Sequence, residues 1–172
     1  FALHKAALIA CGIIPQHGSV NLQDILRRLG GGIYISTRVC NVPKGSGLGT
    51  SSILAGAAVK AIGEFLGEDW SDSVLYQRVL NLEQIMSTGG GWQDQVGGLT
   101  PGVKYITTKP GMKQEIKVEH MELDEATKAE LQERFALIYT GQRRLARNLL
   151  RYVVGGYIGG RPESIEALEE MK

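Results

Sequence analysis

Two cysteines in 172 residues, Cys11 and Cys40, are too few for a disulfide framework and have no zinc-ligand spacing. Reduced thiols in a cytoplasmic protein are the plain expectation. An excess of one charge sign is missing too. Nineteen basic residues face eighteen acidic ones, a formal net charge of +1, so no global field favours nucleic acid or an anionic membrane. No apolar run approaches the length that crosses a bilayer, and no stretch reads as a signal peptide. What the chain has in quantity is glycine, 23 residues gathered in a few loops, so disorder is not indicated. The length suffices for a real core, and one domain plus part of a second is the natural expectation.

The densest glycine loop is Pro43-Lys44-Gly45-Ser46-Gly47-Leu48-Gly49-Thr50-Ser51-Ser52. Before it, Ile33 to Cys40 alternate apolar and polar residues with the period of a strand. After it, Ile53/Leu54, Ala57/Ala58, Ala61/Ile62 and Phe65/Leu66 recur with the period of a helix ending at Gly67. Three glycines at alternate positions permit a sharp turn and leave no Cβ between backbone N–H groups and a ligand. Thr50, Ser51 and Ser52 fall at the helix start, where N–H groups are unpaired and the dipole is positive. A phosphate fits there, and a hydroxyl can reach a magnesium ion. The loop is neither common phosphate motif: the Walker pattern needs Lys after its last Gly, and G-x-G-x-x-G from Gly45 meets Thr50 in place of Gly. The loop alone leaves an ordinary capped strand-to-helix turn open.

A second loop runs Ser87-Thr88-Gly89-Gly90-Gly91-Trp92-Gln93-Asp94-Gln95. It follows a helix, capped by Ser71, in which Leu75, Val79, Leu82 and Met86 share a face and Glu83 lies just off it. Such a loop either caps a helix with Asp94 or carries Asp94, the indole and the amides to a ligand. Two glycine loops of this kind suggest one cleft. Elsewhere, Leu3, Ala6, Ala7 and Ala10 mark a helix closed by Gly12, and Asn21 caps another closed at Gly30. Val103–Thr108 and Gln114–Glu119 read as strands around a Pro110-Gly111 turn. Leu123–Glu133 reads as a solvated helix, Phe135–Tyr139 as an apolar strand and Arg143–Tyr152 as a basic-sided helix. Gly155-Gly156 and Gly159-Gly160 read as breaks before a helix opened by Pro162. His4 and His17 show no ligand pattern.

The first loop resembles the P-x-G-x-G-L-G-S-S-A motif of the GHMP kinases, with Thr50 for the first Ser and Ser52 for the usual Ala. Asn41–Leu54, Leu82–Gly102 and Tyr139-Thr140-Gly141 resemble the L-fucokinase branch specifically. The resemblance implies an α+β fold: an incomplete ribosomal-protein-S5-like, ATP-binding N-terminal half over 1–134, then the start of a ferredoxin-like half over 135–172. It implies ATP-dependent phosphorylation of L-fucose at its anomeric hydroxyl. Residues Pro43 to Ser52 would cradle ATP, and Ser51 and Glu83 would bind Mg2+. Asp94, eleven residues beyond Glu83, would be the catalytic base, and Gly90, Gly91, Trp92, Gln93 and Asp94 would line the sugar site. A heptose-phosphate kinase and a catalytically silent nucleotide- or sugar-binding module are the alternatives. The family's early sugar-binding motif and late glycine-rich motif do not occur here. Phe1 begins, and Met171-Lys172 ends, inside helical runs. The expectation is a piece of a longer enzyme, inactive alone and of open oligomeric state.

Overall fold

The computed structural model describes residues 2–43, 45–87, 90–111, 114–141 and 146–171, the side chains of 146–148 excepted. Lys44, the Arg143 and Arg144 pair and the two terminal residues therefore lie outside the described residues. The elements in chain order are α1 (Ala2–Ala10), α2 (Leu22–Leu29), α3 (Thr50–Phe65), α4 (Asp72–Ile85), α5 (Gln93–Leu99), β1 (Lys104–Thr108), β2 (Ile116–His120), α6 (Glu125–Arg134), α7 (Ala146–Ile158) and α8 (Pro162–Glu170).

Local chemistry sets several of these boundaries. The Asn21 side chain accepts from the Gln23 N–H at 2.9 Å, and Gly30, left-handed at φ 73°, closes α2. Asp124 accepts from the Thr127 N–H at 2.7 Å to open α6. Pro162 sits in the first turn of α8, where its missing N–H costs no helix bond. Around the turn at Gly111, β1 and β2 pair antiparallel with Ile106 opposite Val118.

The core is helix on helix. Ala6 and Ala7 of α1, Ala55, Val59 and Ile62 of α3, and Leu75, Val79 and Leu82 of α4 form one buried cluster, with α5 packed against α3 and α4. Arg78 ties its edge: Nη1 donates to the Ala10 carbonyl at 2.6 Å while the guanidinium carbon lies 4.0 Å from the Trp70 ring centre. Burial pushes the Cys11 thiol up to about 11, which makes it a packing residue and not a nucleophile.

The small residues of α3 decide how closely its neighbours approach. Its buried positions are Ser52, Ala55, Gly56, Ala58, Val59, Ile62 and Gly63. A Cβ on Gly56 would overlap the Leu99 side chain, and one on Gly63 would lie 2.7 Å from Trp70 Cζ3. Gly63→Ala gains about 1 kcal/mol of helix propensity but overpacks against the indole at a cost of about 1–3 kcal/mol. A net loss of about 1 kcal/mol is expected from urea unfolding; an unchanged or raised midpoint would mean that Trp70 moves aside freely.

Five expectations are corrected. The deepest face of α3 is not the one the four-residue recurrence marks, because Ile53 and Phe65 are exposed while Ser52, Gly56 and Gly63 are buried. Residues 33–40 form no strand: Ile33, Ile35 and Thr37 turn partly inward and Tyr34, Ser36 and Arg38 outward, but no ladder partner adjoins them among the described residues. Helices packed on one sheet are accordingly not seen; the sheet of the described residues is the β1–β2 pair alone. Phe135–Tyr139 is likewise irregular and exposed, and α7 runs through Gly155-Gly156 without a break. Alternation and apolarity identify a strand's faces, but a strand also needs a neighbour to receive its backbone hydrogen bonds.

Candidate functional site

The phosphate-like loop is built by three left-handed glycines, Gly45 (φ 74°), Gly47 (φ 79°) and Gly49 (φ 62°). L-residues with a Cβ rarely adopt this conformation, so the glycine spacing in the sequence is a backbone requirement. Gly49 is the N-cap of α3, and among the described residues no side chain caps that helix. The first-turn N–H groups of α3 therefore lack a protein cap, the condition under which a helix start accepts an anion. Ser46 Oγ, in the middle of the loop, is buried with no hydrogen-bond partner among the described residues. An orphaned donor in a glycine loop fits an oxyanion ligand.

The second loop meets the first. A Cβ on Gly49 would sit 3.5 Å from Asp94 Cγ, so the N-termini of α3 and α5 converge. Asp94 lies in the first turn of α5 and is exposed. Trp92, not Asp94, occupies the N-cap of α5, so Asp94 does not cap that helix. Gly90 passes close to Glu83, where a Cβ would lie 3.5 Å from Oε2. Gly91 and Gln93 are exposed at the loop's rim, and Trp92 is half-buried. A cavity of about 90 Å³ between α4, α5 and β2 is lined by Tyr76, Gln77, Trp92, Gln95 and Ile116, among others.

Glu83 is the buried centre of the site, 7% exposed on α4. Ser52 Oγ donates to its Oε1 at 2.5 Å, and Gln95 Nε2 donates to its Oε2 at 2.7 Å. Three helices thus converge on one carboxylate. The structure brings Gly49, Ser52, Glu83, Gly90, Asp94 and Gln95 together; Ser51, one position before Ser52, is exposed on the first turn of α3. Pro43, Gly45, Gly47 and Leu48 are exposed along the loop, and Thr50 is half-buried. Sequence reasoning did not give Ser52 its contact with Glu83, and it turned the Gln95 amide toward a ligand where the structure turns it to Glu83. Their signals were present: a serine on the small-residue face of α3 and an amide beside Asp94.

Burial pushes the Glu83 carboxyl above its ordinary range; the Ser52 and Gln95 hydrogen bonds pull it down, and the nearby Asp94 carboxylate adds to the rise. The folded chain therefore holds this proton more tightly than the unfolded chain does. The stabilising share is complete below the ordinary value of 4.5 and is lost as pH climbs through the raised native value. In metal-free buffer, stability relative to Glu83→Gln is expected to fall as pH rises from the ordinary value of 4.5 through the raised native one. A gap that stays constant across that window, measured by urea unfolding, would contradict it.

As for cation chemistry, no cluster of three or more His, Cys, Asp or Glu occurs among the described residues. The two neighbouring carboxylates and the hydroxyls of α3 are hard oxygen donors, and a magnesium ion that takes few protein ligands beside phosphate oxygens fits such a set.

Comparison with known proteins agrees with this geometry. Residues 19–101 match the GHMP kinases N terminal domain. That stretch places a GHMP kinase N-terminal domain in the chain, and the chain is homologous to L-fucokinases. It is 42% identical over 158 residues to the bifunctional fucokinase/GDP-fucose pyrophosphorylase of Arabidopsis thaliana, covering 92% of this chain and 14% of that protein. It is 39% identical over 175 residues to the L-fucokinase/L-fucose-1-P guanylyltransferase of Bacteroides fragilis, covering 100% of this chain and 18% of that protein. The chain thus spans less than a fifth of either relative. No solved structure matches it significantly.

Proposed function

We propose that the intact protein is an ATP-dependent sugar kinase that phosphorylates the anomeric hydroxyl of L-fucose, giving fucose 1-phosphate. The observation that carries this reading is the meeting of the two glycine loops, with Gly49 against Asp94 and the buried Glu83 behind them. Phosphoryl transfer asks a protein mainly for position and charge: a cradle for the phosphates and a group to orient the attacking hydroxyl. The 43–52 loop and the uncapped start of α3 supply the cradle. Asp94, exposed beside that cradle, accepts the proton of the sugar hydroxyl as its oxygen attacks the terminal phosphorus of ATP and ADP leaves. Gly90, Gly91, Trp92 and Gln93 border the sugar, the indole offering a ring face and the amide offering hydrogen bonds. A magnesium ion held by Glu83 and the Ser51 hydroxyl would offset charge on the transferring phosphate.

The names of the two fucokinase relatives support the choice of fucose. We also place an S5-like half at 1–134 and the start of a ferredoxin-like half from 135. In support of that division, the buried core cluster and the side chains packed on it all lie before residue 100, whereas the chain from Phe135 opens with an exposed apolar stretch. The test is ADP formation by the intact protein with L-fucose, with product phosphorus resonances read for a phosphate on the anomeric oxygen. Turnover with a heptose phosphate but not fucose would redirect the assignment, and binding of ATP without turnover on either would mark a silent module.

A further inference from the structure

We infer that Ser52 and Gln95 are positioning residues that hold the Glu83 carboxylate in the orientation a divalent cation requires. This rests on Glu83 serving the proposed kinase as a cation ligand. Neither side chain needs to touch the ion; each acts through Glu83.

The geometry is that of a clamp. Ser52 is 4% exposed and Gln95 1% exposed, so water competes little for either bond. The Ser52 hydroxyl reaches Oε1 at 2.5 Å from α3, and the Gln95 amide reaches Oε2 at 2.7 Å from α5. These two donors, one to each oxygen and from helices on different sides, fix both the tilt of the carboxylate and the rotation of its plane. Groups of this kind orient metal ligands as effectively as direct contacts do.

Two details separate this from simple packing. Gln95 keeps its donor on Glu83 while its own Oε1 is buried with no partner among the described residues. Turning the amide over would set that oxygen against the carboxylate, so the orientation is dictated by Glu83. A residue needed only to fill space would be better as an apolar side chain, with no orphaned acceptor. Ser52, for its part, stands where the resembling motif carries Ala, so the packing of α3 at this position does not call for a hydroxyl. Among the described residues, the side chain it serves is Glu83.

The test measures cation affinity directly. Mn2+ is titrated into the intact protein saturated with ADP and followed by water-proton relaxation, and ADP affinity is measured separately without metal. Ser52→Ala and Gln95→Met are each expected to weaken Mn2+ binding by about 10-fold, and Glu83→Gln by at least as much. The metal-free ADP affinity of each variant is the reference from which its change in Mn2+ affinity is read, so a loss at the nucleotide cradle is not counted as a loss of the cation. Ser52→Thr, which keeps the donor, is expected to recover most of the loss. Native-like Mn2+ affinity in Ser52→Ala and Gln95→Met, with a loss in Glu83→Gln, would overturn the clamp and leave the kinase reading intact. Native-like affinity in Glu83→Gln as well would remove the cation ligand itself and with it the clamp. Should Gln95→Met not fold, Ser52→Ala carries the test alone, since it installs the residue usual in the motif.

Discussion

Changing Asp94 to Asn is expected to lower turnover of the intact protein on L-fucose by about 100-fold or more, the size of a lost general base. The substitution keeps the shape of the side chain and its place in the first turn of α5, so the loop has no steric reason to move. What disappears is an acceptor for the proton of the attacking hydroxyl. Nucleotide affinity should hardly change, because the phosphate cradle is made by the 43–52 loop and the start of α3. Single-turnover rates and ADP affinities on the same preparation separate the two effects. A native single-turnover rate in Asp94→Asn would make the carboxylate structural and favour the silent-module alternative. Gly47 gives the opposite pattern, because a side chain at φ 79° strains the cradle and should weaken nucleotide binding first.

Leu82→Ala is the largest stability change expected, about 2–5 kcal/mol from lost burial plus the cavity left behind. Leu82 is 0% exposed and among the largest fully buried side chains of the core. Its neighbours along α4 are Val79, also 0% exposed, and Glu83, so a hole at this position opens beside the carboxylate. The unfolding midpoint in urea reports the loss. A change below about 1 kcal/mol would mean that the helices close over the gap.

How much of this was written in the chain varies by element. The caps at Asn21 and Asp124, the closing glycines and the β1–β2 pair follow from short-range rules, and the sequence marks them directly. The loop at 43–52 was equally plain, because left-handed backbone at alternate positions demands glycine. The buried face of α3 was harder. Ranking residues by apolarity selects Ile53 and Phe65, but the tightest contacts are made where side chains are smallest, at Gly56 and Gly63. Glu83 was harder still. A carboxylate at the edge of an apolar stripe is usually solvated, and donors contributed by α3 and α5 help to make its burial tolerable. Such donors are distant in sequence, 31 and 12 residues away, and no local pattern names them. Residues 33–40 show the converse limit, since their alternation was readable but a ladder partner was not.

The two glycines of α3 have a mechanical consequence. Leu99 presses on the helix at Gly56 and Trp70 presses on it at Gly63, seven residues or about 10 Å further along. A rod gripped by two separated collars resists tilting far better than one held at a single point. The end beyond the first collar, from Thr50 to Ala55, is only about 9 Å long and is itself held by the Ser52–Glu83 bond, and the glycine loop is fastened to its tip. A few tenths of an ångström of play at the collars therefore stays of that order at Gly49, and the cradle inherits the stiffness of a shaft whose bearings lie well away from it.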